Sequence, residues 1–178
     1  MTPSAPRWLD DEEQATWRAY LATVRLVDQA LDRQLQRDAG MPHAYYMLLA
    51  MLSEAPARAL RMSDLAAVTN SSQSRVSHAV SRLEELGWIR REAAPADRRG
   101  SVAVLTDTGY EALVAAAPGH VEAVRRVLFD PLTPTQVRHL GEICEAVLLE
   151  GGVAGMDGVE DSAVHRRRGV RASSQSED

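Results

Sequence analysis

The chain has 178 residues, 45% of them hydrophobic, 4% aromatic and 25% charged, and 20 basic against 25 acidic side chains give a formal net charge of -5. That length suits one domain, or one domain with a tail, and the negative balance excludes a uniformly basic nucleic-acid coat protein. The single cysteine excludes an internal disulfide framework and any site built from several thiolates. No run of about 18 apolar residues offers a membrane span. The opening MTPSAPRWLDDEEQ is polar and acidic, without a hydrophobic signal core, so a cytoplasmic location is expected.

Every basic residue is arginine, so an arginine here is not in itself a sign of bidentate recognition. Position matters more. Residues 1–38 carry -2, 39–74 carry 0, 75–99 carry +2, 100–149 carry -3 and the remainder -2. An anionic partner therefore has one compact place to dock, where Arg75, Arg82, Arg90, Arg91, Arg98 and Arg99 outnumber Glu84, Glu85, Glu92 and Asp97.

From Asp10 to Asp38, apolar residues at Trp17, Leu21, Val24, Leu31 and Leu35 follow a helical period with one stripe, and Gly40 stops it. Pro42 precedes an almost wholly apolar helix, Tyr45 to Leu52. Ser63 is a candidate cap for a short helix, Asp64 to Val68. After the polar break Thr69-Asn70-Ser71-Ser72, a further helix carries Val76, Val80, Leu83 and Leu86 on one buried stripe and ends at Gly87. Its other faces hold Gln73, Ser74, Arg75, Ser77, His78, Ser81 and Arg82, all small or polar hydrogen-bonding groups.

Trp88 to Glu92 and Ser101 to Leu105 read as two strands around a polar, turn-forming loop, hence a hairpin. Thr106 caps the next helix, whose apolar face is Tyr110, Leu113, Val114 and Ala117. Pro118-Gly119 interrupts it as a kink or a break, and the pattern resumes at Val121, Val124, Val127 and Leu128. Thr133-Pro134-Thr135-Gln136 is a capping box opening a last helix with Val137, Leu140, Ile143 or Cys144, and Val147 on its stripe. From Glu150 onward Gly, Ser and charge dominate and aromatics vanish, the composition of a disordered tail.

A helix, a polar turn, a two-faced helix and an arginine-bearing hairpin, in that order, describe a winged helix-turn-helix. The two-faced helix suits the major groove, where Ser, Gln, His and Arg reach base edges and phosphates. The hairpin tip suits the adjacent minor groove, whose negative potential attracts a guanidinium. The DNA-facing candidates are therefore Ser72, Gln73, Ser74, Arg75, Ser77, His78, Ser81 and Arg82 on the helix and Asp97, Arg98 and Arg99 on the wing. Arg90 and Arg91 alternate on a strand, so at most one of them faces DNA. Arg82 has Glu85 or Glu84 as an alternative partner.

Asp64-Leu65-Ala66 through Leu83-Glu84, Gly87-Trp88-Ile89-Arg90-Arg91, Asp97-Arg98-Arg99 and Leu105-Thr106-Asp107-Thr108-Gly109 together resemble the MarR family of bacterial transcriptional regulators. The likeness runs without a gap from Leu65 to Glu84 and more loosely from Trp17 to Leu149. It implies a mainly α fold with a small β-hairpin wing. Residues 1–39 become an N-terminal dimerisation helix, 40–105 the winged domain, 106–149 C-terminal dimerisation helices and 150–178 a tail. It also implies a homodimer on a palindromic double-stranded DNA operator, acting as a repressor and released by a small, often aromatic, acid. By the same resemblance Arg99 takes the minor-groove role with Asp97 positioning it, and His43, Tyr45, Tyr46 and Met47 are candidate effector contacts. Those four serve equally well as core packing.

Cys144, beside Ile143 and Val147, reads as a small buried hydrophobe. No phosphate loop, nucleophile elbow or metal-ligand spacing is present, so neither an enzyme nor a cofactor nor a metal site is expected. The second reading is a winged-helix protein-interaction module without DNA binding.

Overall fold

The computed structural model describes residues 6–94 and 97–150, with the backbone alone for residues 94 and 97–99. The expected disordered tail lies outside the described residues, except for Glu150, which still belongs to the last helix. Helix α1 (Asp11–Ala39) opens on a capping box. The Glu13 N–H donates to the Asp10 carboxylate at 2.8 Å, and the Asp10 N–H donates back to Glu13 at 3.0 Å. It ends where Gly40 takes a left-handed φ of 63°, a conformation a side chain would strain. Helix α2 (His43–Glu54) starts right after Pro42, earlier than its apolar run suggests, and buries Tyr46, Leu48, Leu49 and Leu52.

A short turn, Pro56–Arg58, holds Ala57 and Arg58 both at φ 54°. Such non-glycine geometry costs on the order of 1–3 kcal/mol per residue and needs an anchor. The anchor is Arg58, whose guanidinium stacks 3.9 Å over the Tyr110 ring and reaches Asp107 at 3.2 Å. The turn feeds strand β1 (Ala59–Arg61), which the sequence analysis does not anticipate, because three residues carry no readable alternation. Helix α3 (Met62–Val68) follows at once, with Arg61 in the cap position. Ser63 is thus already inside the helix, and its hydroxyl donates to Asp64 instead of capping.

The turn into helix α4 (Gln73–Glu85) is closed by side chains. The Thr69 hydroxyl donates to the Leu65 carbonyl at 2.7 Å, the Ser71 hydroxyl donates to the Thr69 carbonyl at 3.1 Å, and Ser72 caps α4 by accepting from the Arg75 N–H. Val76, Val80 and Leu83 are buried as their spacing predicts. Leu86 is not: it lies beyond the last helical turn and is 53% exposed. Gly87, at φ 74°, ends α4 with paired bonds from the Gly87 N–H to the Glu84 carbonyl and from the Trp88 N–H to the Leu83 carbonyl.

Strands β2 (Ile89–Ala94) and β3 (Asp97–Leu105) form the hairpin, and β1 pairs antiparallel with β3 to complete a sheet in the order β1-β3-β2. Helix α5 (Asp107–Val124) packs its first turn directly against the end of α4. The Thr106 hydroxyl donates to the Gly87 carbonyl at 2.7 Å and accepts from the Gly109 N–H. A Cβ at Gly109 would stand 2.1 Å from the Trp88 carbonyl oxygen, so only glycine permits this approach.

α5 runs through Pro118 without breaking, which decides between the kink and break that the sequence leaves open. Pro118 is exposed, so water can satisfy the carbonyl it leaves unpaired. A π turn over Arg125–Phe129 then ends the rod, marked by the Asp130 N–H donating to the Arg125 carbonyl five residues back. Helix α6 (Pro134–Glu150) begins with the expected Thr133–Gln136 box and has no buried residue. Cys144 is accordingly exposed, contrary to the buried role its neighbours suggest, because among the described residues none buries that end of the stripe. One core joins α2, α3, α4 and the sheet with Leu35 of α1 and Leu113 and Ala116 of α5, and Leu49, Leu52, Leu65, Val80, Leu83 and Ala103 are fully shielded from solvent.

Candidate nucleic-acid interface

The hydrophobic stripe of α4 fixes its orientation. Burying Val76, Val80 and Leu83, each worth about 1.5–3 kcal/mol, turns Ser74, Arg75 and His78 to solvent on the opposite side. Ser74, Arg75 and His78 share one exposed polar face, and Gln73, the first residue of the helix, is exposed at its edge and lines the groove toward the sheet. Ser72 sits at the helix start, where the free backbone N–H groups and the positive end of the dipole favour an anion.

The Ser77 carbonyl, the Ser81 hydroxyl and the Arg82 guanidinium are also engaged within the chain. The Arg91 guanidinium donates to the Ser77 carbonyl at 2.8 Å and to the Ser81 hydroxyl at 2.7 Å. The Arg91 backbone N–H donates to Glu84 at 3.1 Å, and the same carboxylate stands 3.5 Å from Arg91 Nε. Arg91 on β2 therefore clamps the hairpin to α4. Arg90, on the other face of the strand, is exposed and paired with Glu92. The alternation read from the sequence thus resolves with Arg91 as the structural member. Arg82 pairs with Glu85, one of its two anticipated partners.

Between α4 and the sheet lies a polar groove of about 380 Å³, lined by Arg61, Ser63, Gln73, Ser77, Arg91 and Ser101, with Met62 and Gly100 completing it. Arg61 and Ser101 are additions to the sequence-derived set. They arrive through β1 and its pairing with β3, and a three-residue strand gives no sequence signal. The Asp97, Arg98 and Arg99 side chains lie outside the described residues, while their backbone forms the first part of β3 at the hairpin end.

The four effector candidates separate into distinct environments. Tyr46 is buried, and His43, Tyr45 and Met47 are half-buried. The Tyr46 ring centroid lies 4.2 Å from that of His120 on α5, and His43 lies 5.5 Å from it. The His43 N–H donates to Asp32 at 2.9 Å, and His43 Nδ1 stands 3.2 Å from Asp28, both on α1. Burial and then the neighbouring His43 hold His120 below the ordinary histidine range, and burial with a contribution from Glu54 raises the Tyr46 phenol. His120 and Gln34 complete this cluster and were missed from sequence, because they reach it from α5 and α1, far along the chain. Among the described residues no group of three or more His, Cys, Asp or Glu is placed to hold a metal, and no helix is long and apolar enough to cross a membrane.

A helix-turn-helix with a braced hairpin beside its exposed polar helix defines the class as winged helix. Residues 39–100 match the family model described as MarR family. The chain is 57% identical to Sco3205 of Streptomyces coelicolor, a MarR family transcriptional regulator solved in complex with DNA, over 81% of this chain and 90% of that one, with a TM-score of 0.76. It is 40% identical to AbsC, a MarR family transcriptional regulator of the same organism, over 82% and 97% of the two chains, with a TM-score of 0.75. It is also 27% identical over 115 residues to the HTH-type transcriptional regulator PecS of Dickeya dadantii, covering 65% of this chain and 69% of PecS. The chain belongs to the MarR family of transcriptional regulators, and it is a regulator and not an enzyme.

Proposed function

We propose that the protein binds double-stranded DNA as a homodimer on a palindromic operator and represses the genes beside it. The observation that carries this reading is the exposed polar face of α4, held by the Arg91 clamp next to the hairpin. Gln73, Ser74, Arg75, Ser77 and His78 read base edges and phosphates, with Ser72 at the helix start taking a phosphate. Ser81 and Arg82 brace this face from its far end. Arg99, with Asp97 orienting it, enters the minor groove, and Arg98 contacts DNA from the same wing. The DNA-bound state of the 57% identical Sco3205 supports the assignment.

Dimerisation is supported by apolar surface left uncovered among the described residues. Trp17, Tyr20 and Val24 on α1 and Ile143, Val147 and Leu149 on α6 are between 47% and 84% exposed. A two-fold interface built from both ends of the chain covers them and sets the spacing of two winged units. A small effector enters beside His43, Tyr45, Tyr46 and Met47, where the α1–α5 pair meets the winged core.

The test is a binding titration of the full chain against DNA from the region upstream of its own gene, at fixed salt, with single-base variants. Specific binding that is lost when Gln73 and Arg75 are both changed to alanine supports the reading. Binding no tighter to that region than to random DNA, for every fragment across it, overturns it.

A further inference from the structure

The seam between α1, α2 and α5 contains a group of polar side chains that DNA binding does not use. His120 on α5 is 9% exposed and packs against Tyr46 and His43 of α2. Its Nδ1 is buried without a hydrogen-bond partner, as is the Oε1 atom of Gln34 on α1. α1 closes the far side: Gln34 Nε2 donates to Asp38 at 3.0 Å, and a Cβ at Gly119 would already stand 3.0 Å from that same nitrogen.

We propose that this seam is an acid-sensitive switch, in which protonation of His120 separates α5 from α2 and weakens DNA binding. The inference rests on the dimeric DNA-binding reading for its output, and on the seam alone for its trigger. A proton on His120 places a charge and an additional N–H in a buried site that has no acceptor at Nδ1, and such groups are costly to leave unpaired.

The surrounding charges do not compensate. From α1, Asp28 and Asp32 are engaged with His43, and Asp38 with Gln34. From α2, the facing groups are His43, whose own charge opposes a second one, and the Tyr46 phenol, kept neutral by burial. From the turn after α5, Arg125 and Arg126 are exposed, and Arg125 is paired with Asp130. On the α1 side, the side chain nearest Gly119 is the Gln34 amide, whose nitrogen donates to Asp38. Relief of the charge comes from opening the contact with α2, where Tyr46 and His43 stand against the ring.

α2 enters the core through Leu49 and Leu52, and α5 enters it through Leu113 and Ala116 while also packing along α1, so α5 links the core to α1. A shift at this seam therefore changes how the winged unit sits on the dimerisation helices, and two half-sites a fixed distance apart feel that change. The direction is diagnostic. A cation gained on the DNA-facing surface tightens binding to phosphates, whereas a cation gained in this seam loosens it.

Burial and His43 depress the His120 pKa in the folded chain, so the unfolded chain, titrating near the ordinary 6.5, binds the proton more readily. The contribution of neutral His120 to stability is fully present above about pH 7.5 and is lost as pH falls through and below 6.5.

The experiment uses the full chain, His120→Phe and His43→Gln, at pH 7.5, 6.5 and 5.5 and constant ionic strength. Three signals are read: affinity for the upstream DNA fragment, the thermal midpoint, and imidazole Cε1–H resonances by NMR. The wild type is expected to lose about tenfold in affinity from pH 7.5 to 5.5, with a falling midpoint, and His120→Phe to lose less than about twofold. His43→Gln, which keeps the His43 backbone bond to Asp32 possible, is expected to reduce the pH dependence and to raise the titration point of His120. If His120→Phe does not fold, the His43→Gln and NMR results decide. A His120 resonance titrating at or above the ordinary histidine range, or a His120→Phe protein that keeps the full pH dependence, overturns the switch. Absence of DNA binding at every pH sinks the functional reading alone, because the midpoint and NMR signals still test the trigger.

Discussion

Helices α4 and α6 have comparable apolar stripes and opposite fates. In α4, Val76, Val80 and Leu83 are fully shielded by α2, α3 and the sheet, and the polar side is left for a ligand. In α6, Val137, Leu140, Ile143 and Val147 follow the same helical spacing, yet among the described residues Val137 and Leu140 are only half-buried and Ile143 and Val147 are exposed. α1 shows both behaviours along one rod: Leu31 and Leu35 are buried, while Trp17 and Val24 near its start are 47% exposed. Amphipathicity therefore states that a face will be covered, and the tertiary structure states whether the cover comes from the same chain. The middle of the chain covers its own apolar faces, whereas α6 and the first half of α1 leave theirs exposed among the described residues.

The sharpest way to break that contrast is to charge the uncovered stripe. Ile143→Asp with Val147→Asp touches no intrachain core, so each chain is expected to keep its helical spectrum. The dimer should dissociate and operator affinity fall by more than about a hundredfold, as two linked half-sites become separate ones. Sedimentation at micromolar concentration checks it, and an unchanged dimer would show that α6 is not in the interface.

The matching change inside the winged core acts the other way. Leu49→Ala removes a fully buried side chain and is expected to cost about 2–5 kcal/mol of stability in denaturant titrations. Any loss of DNA binding should then track the unfolded fraction. A smaller effect follows at the wing, where Arg99→Ala is expected to cost about 1–3 kcal/mol per half-site with the thermal midpoint unmoved. Asp97→Ala should repeat this more mildly, since the cation remains but is less well oriented.

Ser72→Ala removes the α4 cap and is expected to lower stability by about 1 kcal/mol, read as a shift in the denaturation midpoint. Smallest of all is truncation after Glu150. The composition beyond it lacks the apolar content to build a core, so stability and affinity are expected to stay within error. A marked loss of affinity would assign the Arg166-Arg167-Arg168 cluster to phosphate contacts.

Much of this architecture was legible from local pattern. The α4 stripe, the Thr133–Gln136 box, the glycine stops at Gly40 and Gly87 and the hairpin all depend on residues close together in sequence, where periodicity and backbone preference act directly. Family membership followed from the same contiguous stretch, and so did the separation of Arg90 from Arg91. Only the tertiary structure could decide the rest. β1 is three residues long and exists because β3 offers it an edge. The exposure of Cys144 depends on which helices lie near α6, and Pro118 stays within α5 because that face meets solvent. Arg91 could be recognised as a clamp only after Ser77, Ser81 and Glu84 were brought around it. His120 joined Tyr46 only when α5 crossed α2. Local pattern dictates what a segment is, because its causes lie within a few residues. What a side chain does is set by neighbours that the chain brings from far away, and spacing along the sequence carries no record of them.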